Sequence, residues 1–255
     1  MIELRDLSKR YGNGPPAVNG INMRIETGTF LVLAGPSGCG KTTALSMINR
    51  LVEPSAGTVL LDGIDIREND PVLLRRQIGF VFQDIGLFPH MTVAENAGIT
   101  LKIMGKRPRE IAARVDELLA LVRLPPERFR NALPAELSGG QRQRVGVARA
   151  LAASPRLMLM DEPFGAIDPL TRDELSADYR RIHERLGLTT IMVTHDMTEA
   201  MLLGDRMALM REGRIVQAGA PRELVSSPAD EFVRAMIESP RRRARLLADL
   251  QAAPA

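Results

Sequence analysis

The sequence predicts an α/β fold with a mixed β-sheet core and an inserted α-helical subdomain, and three observations lead to that prediction. First, apolar runs at 30–34, 78–83, 157–160 and 190–194 have the composition of buried strands. Second, a glycine-rich loop and then a helix-compatible segment follow the first run. Third, residues 84–136 change in character and favour helices, as expected of an insertion between strands of the core.

The glycine-rich loop spans residues 35–42 and reads GPSGCGKT, which is the phosphate-binding pattern G-x-x-x-x-G-K-[ST]. Glycines let successive backbone N–H groups curl around a phosphate, and Lys41 adds a positive charge that reaches the β and γ oxygens. The Thr42 hydroxyl is placed to ligate Mg²⁺. The following helix directs the positive end of its dipole at the same anion. This context predicts a nucleotide site of the P-loop NTPase class, with residues Gly35, Pro36, Ser37, Gly38, Cys39, Gly40, Lys41, Thr42 and Thr43.

The bulk composition excludes several classes of protein. With 255 residues, 45% of them hydrophobic and 25% charged, the chain has the make-up of a soluble globular protein with one large core. No apolar run reaches the roughly 20 residues of a membrane-spanning helix, and the N-terminus lacks the features of a signal peptide. The single cysteine excludes an internal disulfide and fits a reducing compartment. We therefore expect a cytoplasmic protein.

The N-terminal region predicts three strands, at 2–7, 22–25 and 29–34, separated by glycine-containing turns. Tyr11 ends the first of these units beside Gly12. Its ring can stack on the adenine of a nucleotide, or it can be an ordinary edge-strand tyrosine. The local sequence leaves both interpretations open.

The helical insertion begins with an apolar loop at 84–91. That loop is either a docking surface for another protein or a segment folded beneath the insertion, and composition favours neither. Helices are predicted at 92–104 and 108–122, the second with one apolar face. Gln83, directly before the loop, ends the apolar run 78–83. It either reaches a metal or water in the crevice of the sheet or only caps its strand.

A second anion receptor is predicted where Ser138 and Gln141 form a capping box at the start of a helix. Gly139 and Gly140 occupy the first turn, although each glycine costs a helix roughly 1 kcal/mol relative to alanine. Two glycines make sense if another group must approach this backbone closely. Because the chain then carries two receptors for one γ-phosphate, we expect two copies arranged head to tail, each phosphate loop facing the other copy's glycine-rich helix start.

Paired carboxylates follow the apolar run 157–160. Asp161 suits coordination of Mg²⁺ beside the phosphates, and Glu162 can polarise a water molecule in line with the γ-phosphorus. A plain turn is the alternative for the pair. Asp168 then opens a helix at an Asp-Pro step. His195 follows the run 190–194, and we expect it to contact the γ-phosphate.

Strand ends that carry Gln83, Asp161-Glu162 and His195 predict one constellation at one edge of the sheet. Glu162, His195 and Lys41 are the predicted catalytic residues, and Thr42, Gln83 and Asp161 are the predicted metal ligands.

The domain organisation follows from these elements. Residues 1–83 and 154–240 are predicted to form the nucleotide-binding core with an antiparallel β subdomain, and 84–153 the inserted helical subdomain. A hairpin at 207–217 is predicted to close the core, and the chain is predicted to be helical from 221 onward. The segment 241–255 is a basic tail, which either touches anionic lipid or a partner or is a solvated helix end.

These motifs, in this order, resemble those of ATP-binding cassette (ABC) subunits over nearly all of the chain. The resemblance implies an ABC-type fold, the cofactors ATP and Mg²⁺, and adenine stacking by Tyr11. It also implies a head-to-tail dimer that sandwiches two ATP molecules, with residues contributed to the partner's site by Ser138, Gly139, Gly140, Gln141 and Asp168. One departure is Ile167, where the family more usually has leucine; the change is conservative.

The range 78–97, with its segment 85–96, and the segment 194–219 are similar to the corresponding parts of ABC subunits that power importers of osmoprotectants such as glycine betaine, choline or other quaternary amines. That resemblance implies transmembrane permease subunits as partners, an indirect link to a substrate-binding protein, and a peripheral place on the cytoplasmic face of the membrane. An ABC subunit for another substrate, or an exporter subunit, remains an alternative. A soluble ABC ATPase acting on nucleic acid or ribosomes is disfavoured, because the chain has a single cassette and no basic stripe with interleaved aromatics.

Overall fold

Two β-sheets and a group of helices make up residues 1–165 and 167–238, the part of the chain that the computed structural model describes. The first sheet has the order β2-β1-β4-β5, and its strands are β1 (Ile2–Arg10), β2 (Pro16–Ile25), β4 (Ala56–Leu61) and β5 (Ile64–Asp65). The second has the order β10-β9-β3-β8-β7-β6, and its strands are β3 (Phe30–Ala34), β6 (Ile78–Val81), β7 (Leu157–Asp161), β8 (Thr189–Thr194), β9 (Arg206–Arg211) and β10 (Arg214–Gly219).

The α-helices of the described residues pack against the two faces of the second sheet or form the insertion beside it. They are α1 (Lys41–Ile48), α2 (Pro71–Gln77), α3 (Val93–Ile103), α4 (Pro108–Leu121), α5 (Pro126–Phe129), α6 (Gly139–Leu151), α7 (Pro169–Leu186), α8 (Met197–Leu203) and α9 (Pro221–Ser226). Residues 231–238 are also helical. None of the helices in the described ranges is both long and apolar enough to cross a bilayer.

The second sheet is buried on both faces, which explains why its strands read as continuous apolar runs. Every residue of β3, β7 and β8 is buried. Phe30 and Val32 of β3 point into one hydrophobic cluster, which includes residues of α6 and α7, whereas Leu31 and Leu33 point into the other, beside α1 and the first sheet. The sheet therefore separates two cores.

Strand register brings the carboxyl ends of the parallel strands to one edge. Ala34 of β3 pairs with Thr194 of β8, Asp161 of β7 pairs with Val193 of β8, and Val81 of β6 pairs with Met160 of β7. The residues that follow these strands consequently leave the sheet side by side, as the sequence predicts.

Helices α3 and α4 of the insertion begin and end within one residue of the predicted positions. Thr92 caps α3 by accepting from the backbone N–H of Glu95, whose carboxylate accepts from the N–H of Thr92 in return. The predicted apolar face of α4 is buried at Val115, Leu118 and Leu119.

Several element boundaries differ from the predicted ones. Strands β1 and β2 are longer than predicted, because their antiparallel pairing continues through Lys9 with Val18 and Arg10 with Pro16. Strand β6 ends at Val81, two residues before Gln83. The C-terminal helix is interrupted at 227–230, where Pro228 lacks the N–H that a continuing helix needs. The predicted basic tail at 241–255 lies outside the described residues.

Candidate functional site

The phosphate loop between β3 and α1 depends on glycine for two different reasons. A Cβ on Gly35 would lie 2.3 Å from the carbonyl oxygen of Met210, and one on Gly40 would lie 2.1 Å from that of Ala17. These two glycines therefore let the loop pack against neighbouring backbone. Gly38 has a φ of +77° and open space around it, so its requirement is conformational. The middle of the loop is thus left free for a ligand.

A hairpin between β9 and β10 supports the loop from behind. The N–H of Gly213 donates to the carbonyl oxygen of Cys39 at 3.0 Å, and the N–H of Asn19 donates to that of Gly213 at 2.8 Å. The sequence predicts this hairpin only as the closing element of the fold. Its Glu212-Gly213 turn was visible, but nothing local indicated contact with the phosphate loop.

Cys39 contributes to the predicted site through its backbone. Its side chain is buried, and burial raises the pKa of the thiol. A thiol that stays protonated is a poor nucleophile, so Cys39 acts as a small apolar residue within the loop.

Lys41 lies inside the curl of the loop, with only 4% of its surface exposed. Its Nζ donates to the carbonyl oxygens of Gly35 and Pro36, each at 2.9 Å. A buried ammonium needs partners of this kind. Phosphate oxygens entering the loop would replace weak neutral acceptors with charged ones, which makes stronger hydrogen bonds.

Thr42 and Asp161 bring two predicted metal ligands together. The Thr42 hydroxyl donates to Oδ1 of Asp161 at 2.9 Å, across a sequence separation of 119 residues. Burial raises the pKa of the Asp161 carboxyl, so a nearby positive charge would stabilise its ionised form. The described residues hold no cluster of three His, Cys, Asp or Glu side chains that could bind a metal alone. Two oxygen donors fit Mg²⁺ when phosphate and water supply the remaining ligands.

Glu162 and His195 form a pair at the ends of adjacent strands. Nδ1 of His195 lies 2.9 Å from Oε2 of Glu162, and the N–H of Glu162 donates to the carbonyl oxygen of Val193 at 2.9 Å. Glu162 adopts a φ of +43°, uncommon for a residue with a side chain, which turns the chain sharply after β7. The histidine was expected to contact the γ-phosphate. In this structure its ring contacts Glu162, and no local sequence pattern indicates that pairing.

Gln83 lies beyond the end of β6 and is exposed. It lines a cleft of about 640 Å³ between the second sheet and the helical insertion, and Asp161 lines the same cleft. The two side chains thus face one space, although no hydrogen bond joins them among the described residues.

Tyr11 is 53% exposed, and Nζ of Lys9 lies 5.2 Å from the centre of its ring. An exposed ring with a cation against it remains available for stacking on its other face. This geometry is compatible with the predicted adenine contact.

Ser138 and Gln141 form the predicted capping box at the start of α6. Oγ of Ser138 accepts from the N–H of Gln141 at 3.2 Å, and Oε1 of Gln141 accepts from the N–H of Ser138 at 2.9 Å. Asp168 caps α7 in a similar way by accepting from the N–H of Thr171 at 3.0 Å, and this bond lowers the pKa of Asp168. Ser138 and Asp168 are both exposed.

The two glycines of this helix start have separate roles. A Cβ on Gly140 would lie 2.4 Å from Cγ2 of Thr171 in α7, whereas one on Gly139 would meet only the tip of Arg142 at 4.0 Å. Glycine is therefore required at 140 because the side chain of Thr171, in the same chain, packs against its backbone. The accessible backbone is that of Gly139.

A matched pair of alanine variants tests this assignment. Gly140→Ala is expected to lower the free energy of unfolding by about 1–3 kcal/mol through overpacking. Gly139→Ala should leave it unchanged or raise it, because alanine favours a helix by roughly 1 kcal/mol. Urea unfolding followed by circular dichroism measures both. Equal stability of the two variants would contradict the assignment.

Comparison with known proteins decides the family. The sequence pattern that defines the ABC transporter family matches residues 18–165. The chain belongs to the ABC transporter family. It is 51% identical over 237 residues to the glycine betaine/carnitine/choline transport ATP-binding protein OpuCA of Bacillus subtilis, covering 93% of this chain and 62% of that protein. It is 49% identical to the sulfate/thiosulfate import ATP-binding protein CysA of Bordetella parapertussis over 91% of this chain and 65% of that protein.

A solved ABC structure confirms the predicted fold class. The ATP-binding cassette MJ0796, in a dimeric post-hydrolysis state bound to ADP and Pi, superposes with a TM-score of 0.78 at 36% identity. The match covers 87% of this chain and 99% of that one. The chain therefore has the ABC-type P-loop NTPase fold with its helical subdomain. It spans less than two thirds of the length of relatives such as OpuCA.

Proposed function

We propose that this chain binds and hydrolyses ATP to power an ABC importer of osmoprotectants such as glycine betaine or choline. The observation that carries the enzymatic part is the Glu162–His195 pair, which is next to Asp161 at the sheet edge where the phosphate loop begins. Phosphoryl transfer to water needs groups that orient the water molecule and bind the phosphates. This edge of the sheet carries carboxylate, imidazole, ammonium and hydroxyl groups that can do so.

Binding of ATP would use the loop amides and Lys41 on the β- and γ-phosphates, with Tyr11 stacked on adenine. Thr42 and Asp161, joined by Gln83 from the cleft, would hold Mg²⁺, which neutralises phosphate charge when it is bound. Glu162 would orient the attacking water molecule. His195 holds the Glu162 carboxylate through Nδ1, which leaves the other edge of its ring to face the γ-phosphate.

A second copy of the chain would complete each site. Ser138, Gly139, Gln141 and Asp168 would reach the nucleotide on the partner's phosphate loop, in a head-to-tail dimer, whereas Gly140 packs against Thr171 of its own chain. The exposure of Ser138 and Asp168 supports this arrangement, as does the dimeric state of the solved relative.

The cleft beside Gln83 would receive a transmembrane permease subunit. Phe82 and Phe88 are 45% and 42% exposed in its wall, so the loop 84–91 is not folded beneath the insertion throughout. The fully buried Asn96 fixes this loop, because its side-chain amide bonds the backbone of Phe88 and Met91. An exposed aromatic wall on a rigid loop favours docking of an apolar partner segment. The subunit would then lie on the cytoplasmic face of the membrane, and a substrate-binding protein would act through the permease.

The most specific part of this proposal is the identity of the transported substrate. Support comes from the resemblance of segments 85–96 and 194–219 to osmoprotectant systems and from the name of the relative OpuCA. The chain has a similar sequence identity to CysA. The alternative is therefore that it powers an importer of another substrate. The residues that hydrolyse ATP do not contact the transported substrate. They are therefore the same in an osmoprotectant importer and in an importer of another substrate.

Co-purification from native membranes tests the proposal. We expect a permease to accompany the chain, and its ATPase activity to rise when a betaine-loaded binding protein is added. Phe88→Ser is expected to weaken permease capture at least tenfold, a change of about 1.4 kcal/mol, while the isolated chain keeps its ATPase activity. Stimulation by sulfate and its binding protein instead would overturn the osmoprotectant assignment.

A further inference from the structure

Arg172, in the first turn of α7, contacts both loops that leave β7 and β8. Its Nη2 lies 3.2 Å from the carbonyl oxygen of Ile167 and 3.5 Å from that of Gly165, and its Nη1 lies 3.4 Å from Oδ2 of Asp196. Gly165 and Ile167 belong to the loop that follows Glu162, and Asp196 follows His195. We propose that Arg172 is a positioning residue that ties these two loops together, a role that rests on the proposed ATPase function.

Asp196 transmits this contact to the neighbourhood of His195. Its Oδ1 accepts from the N–H groups of Thr198 and Glu199 at 2.8 and 3.2 Å, which caps α8, and its own N–H donates to Oγ1 of Thr194 at 3.1 Å. One carboxylate oxygen therefore fixes the helix, and the other faces Arg172. The backbone N–H and the carboxylate of Asp196 are thus both hydrogen-bonded. A displacement of Arg172 would therefore displace Asp196 and, with it, the backbone of the adjacent His195.

The surroundings of Arg172 favour a guanidinium at this position. Glu199 lies in the same cluster and is only 9% exposed. Its burial raises the pKa of its carboxyl, and the charge of Arg172 acts in the opposite direction. A planar guanidinium can serve several acceptors at fixed angles, whereas the single ammonium of lysine cannot.

Arg172 and Glu199 each have a polar atom that makes no hydrogen bond within the described residues. Within the described ranges, Nε of Arg172 and Oε1 of Glu199 are buried and have no hydrogen-bond partner. Unsatisfied buried atoms cost free energy until they pair. The guanidinium therefore has a further donor, Nε, besides the two nitrogens that contact the loops.

Coupling between the two copies of the chain would follow from this connection. The loop held by Arg172 ends at Asp168, which is exposed and predicted to face the second copy. The segment held through Asp196 begins at His195, whose ring contacts the Glu162 carboxylate at 2.9 Å. Arrival of the second copy at one loop would thus set the position of His195 on the other.

Arg172→Ala tests the proposal against Arg180→Ala on the same helix. Arg180 bonds Asp205, Glu184 and the carbonyl oxygen of Leu203, so its loss removes comparable contacts away from both loops. We expect Arg172→Ala to lower kcat roughly ten- to a hundredfold, because small misplacements of catalytic groups have effects of that size. KM for ATP should stay within about twofold of the wild-type value, since Arg172 does not line the phosphate loop. Arg172→Lys should not restore kcat.

Amide hydrogen exchange gives a second readout that needs no catalysis. Exchange at Gly165, whose N–H donates to the carbonyl oxygen of Glu162, and at Thr198, whose N–H donates to Asp196, should increase together in Arg172→Ala and stay at the wild-type rate in Arg180→Ala. A kcat of Arg172→Ala that matches the Arg180→Ala value, or exchange that increases at one loop alone, would overturn the proposal. If the wild-type chain failed to hydrolyse ATP while exchange at both loops still rose together, the proposed function would fall and the connection through Arg172 would stand.

Discussion

Glu162→Gln is expected to lower ATP turnover by about a thousandfold or more, while ATP binding and ATP-dependent pairing of two copies persist. Glutamine keeps the size of the side chain and one oxygen, so the fold and the phosphate loop are unaffected. Its amide cannot accept a proton from the attacking water, and general-base contributions of this kind are worth roughly 10²–10⁴ in rate. Steady-state phosphate release measures turnover, and size-exclusion chromatography with ATP measures pairing.

Glu184→Gln is the control for this variant, because Glu184 is an exposed acid of α7 whose partner is Arg180 on the same helix. Its turnover should equal that of the wild type. The structure adds a second expectation, because Glu162→Gln replaces the acceptor beside Nδ1 of His195. The histidine should therefore change its tautomer, which the NMR signals of its two ring nitrogens would show. Turnover above a tenth of the wild-type rate in Glu162→Gln would refute its assignment as the general base.

The strand ends of this site were predictable from sequence because a buried parallel strand has a recognisable composition and a definite carboxyl end. Three of the predicted strands carry Gln83, Asp161-Glu162 or His195 at or within two residues of their carboxyl ends, and parallel register places those residues at one edge. Local patterns likewise predicted the helical insertion and the capping box at Ser138, whereas the capping box at Thr92 is a finding of the structure. These features depend on residues close together in the chain.

Other features of the site depend on contacts between distant residues, and sequence could not supply them. The Glu162–His195 pair joins residues 33 apart, and the support of Cys39 by Gly213 joins the phosphate loop to a hairpin near the end of the described chain. Gly140 was interpreted as a site of close approach by a partner, but the approaching group is Thr171 of the same chain. A short motif indicates that another group approaches the backbone closely. Only the fold shows which group that is.

Ser138→Arg is expected to abolish hydrolysis while leaving ATP binding intact, because the phosphate loop that binds ATP would belong to the other copy. Ser138 is exposed at the start of α6, and an arginine there would fill the space above the accessible backbone of Gly139. Loss of the cap alone costs about 1 kcal/mol of stability, which Ser138→Ala would show without the added bulk. Fluorescent-nucleotide titration and phosphate release separate binding from turnover.

Mixing this variant with Lys41→Ala decides whether the site is shared between copies. Neither variant alone should hydrolyse ATP, since one lacks the helix start and the other lacks the loop ammonium. In a mixed head-to-tail pair, one site combines both defects and the other combines an intact loop with an intact Ser138. Random pairing should then restore roughly a quarter of wild-type turnover, because about half of the pairs are mixed and each has one intact site of two. If each copy hydrolysed ATP by itself, the mixture would stay inactive, and normal turnover by Ser138→Arg alone would equally rule out a shared site.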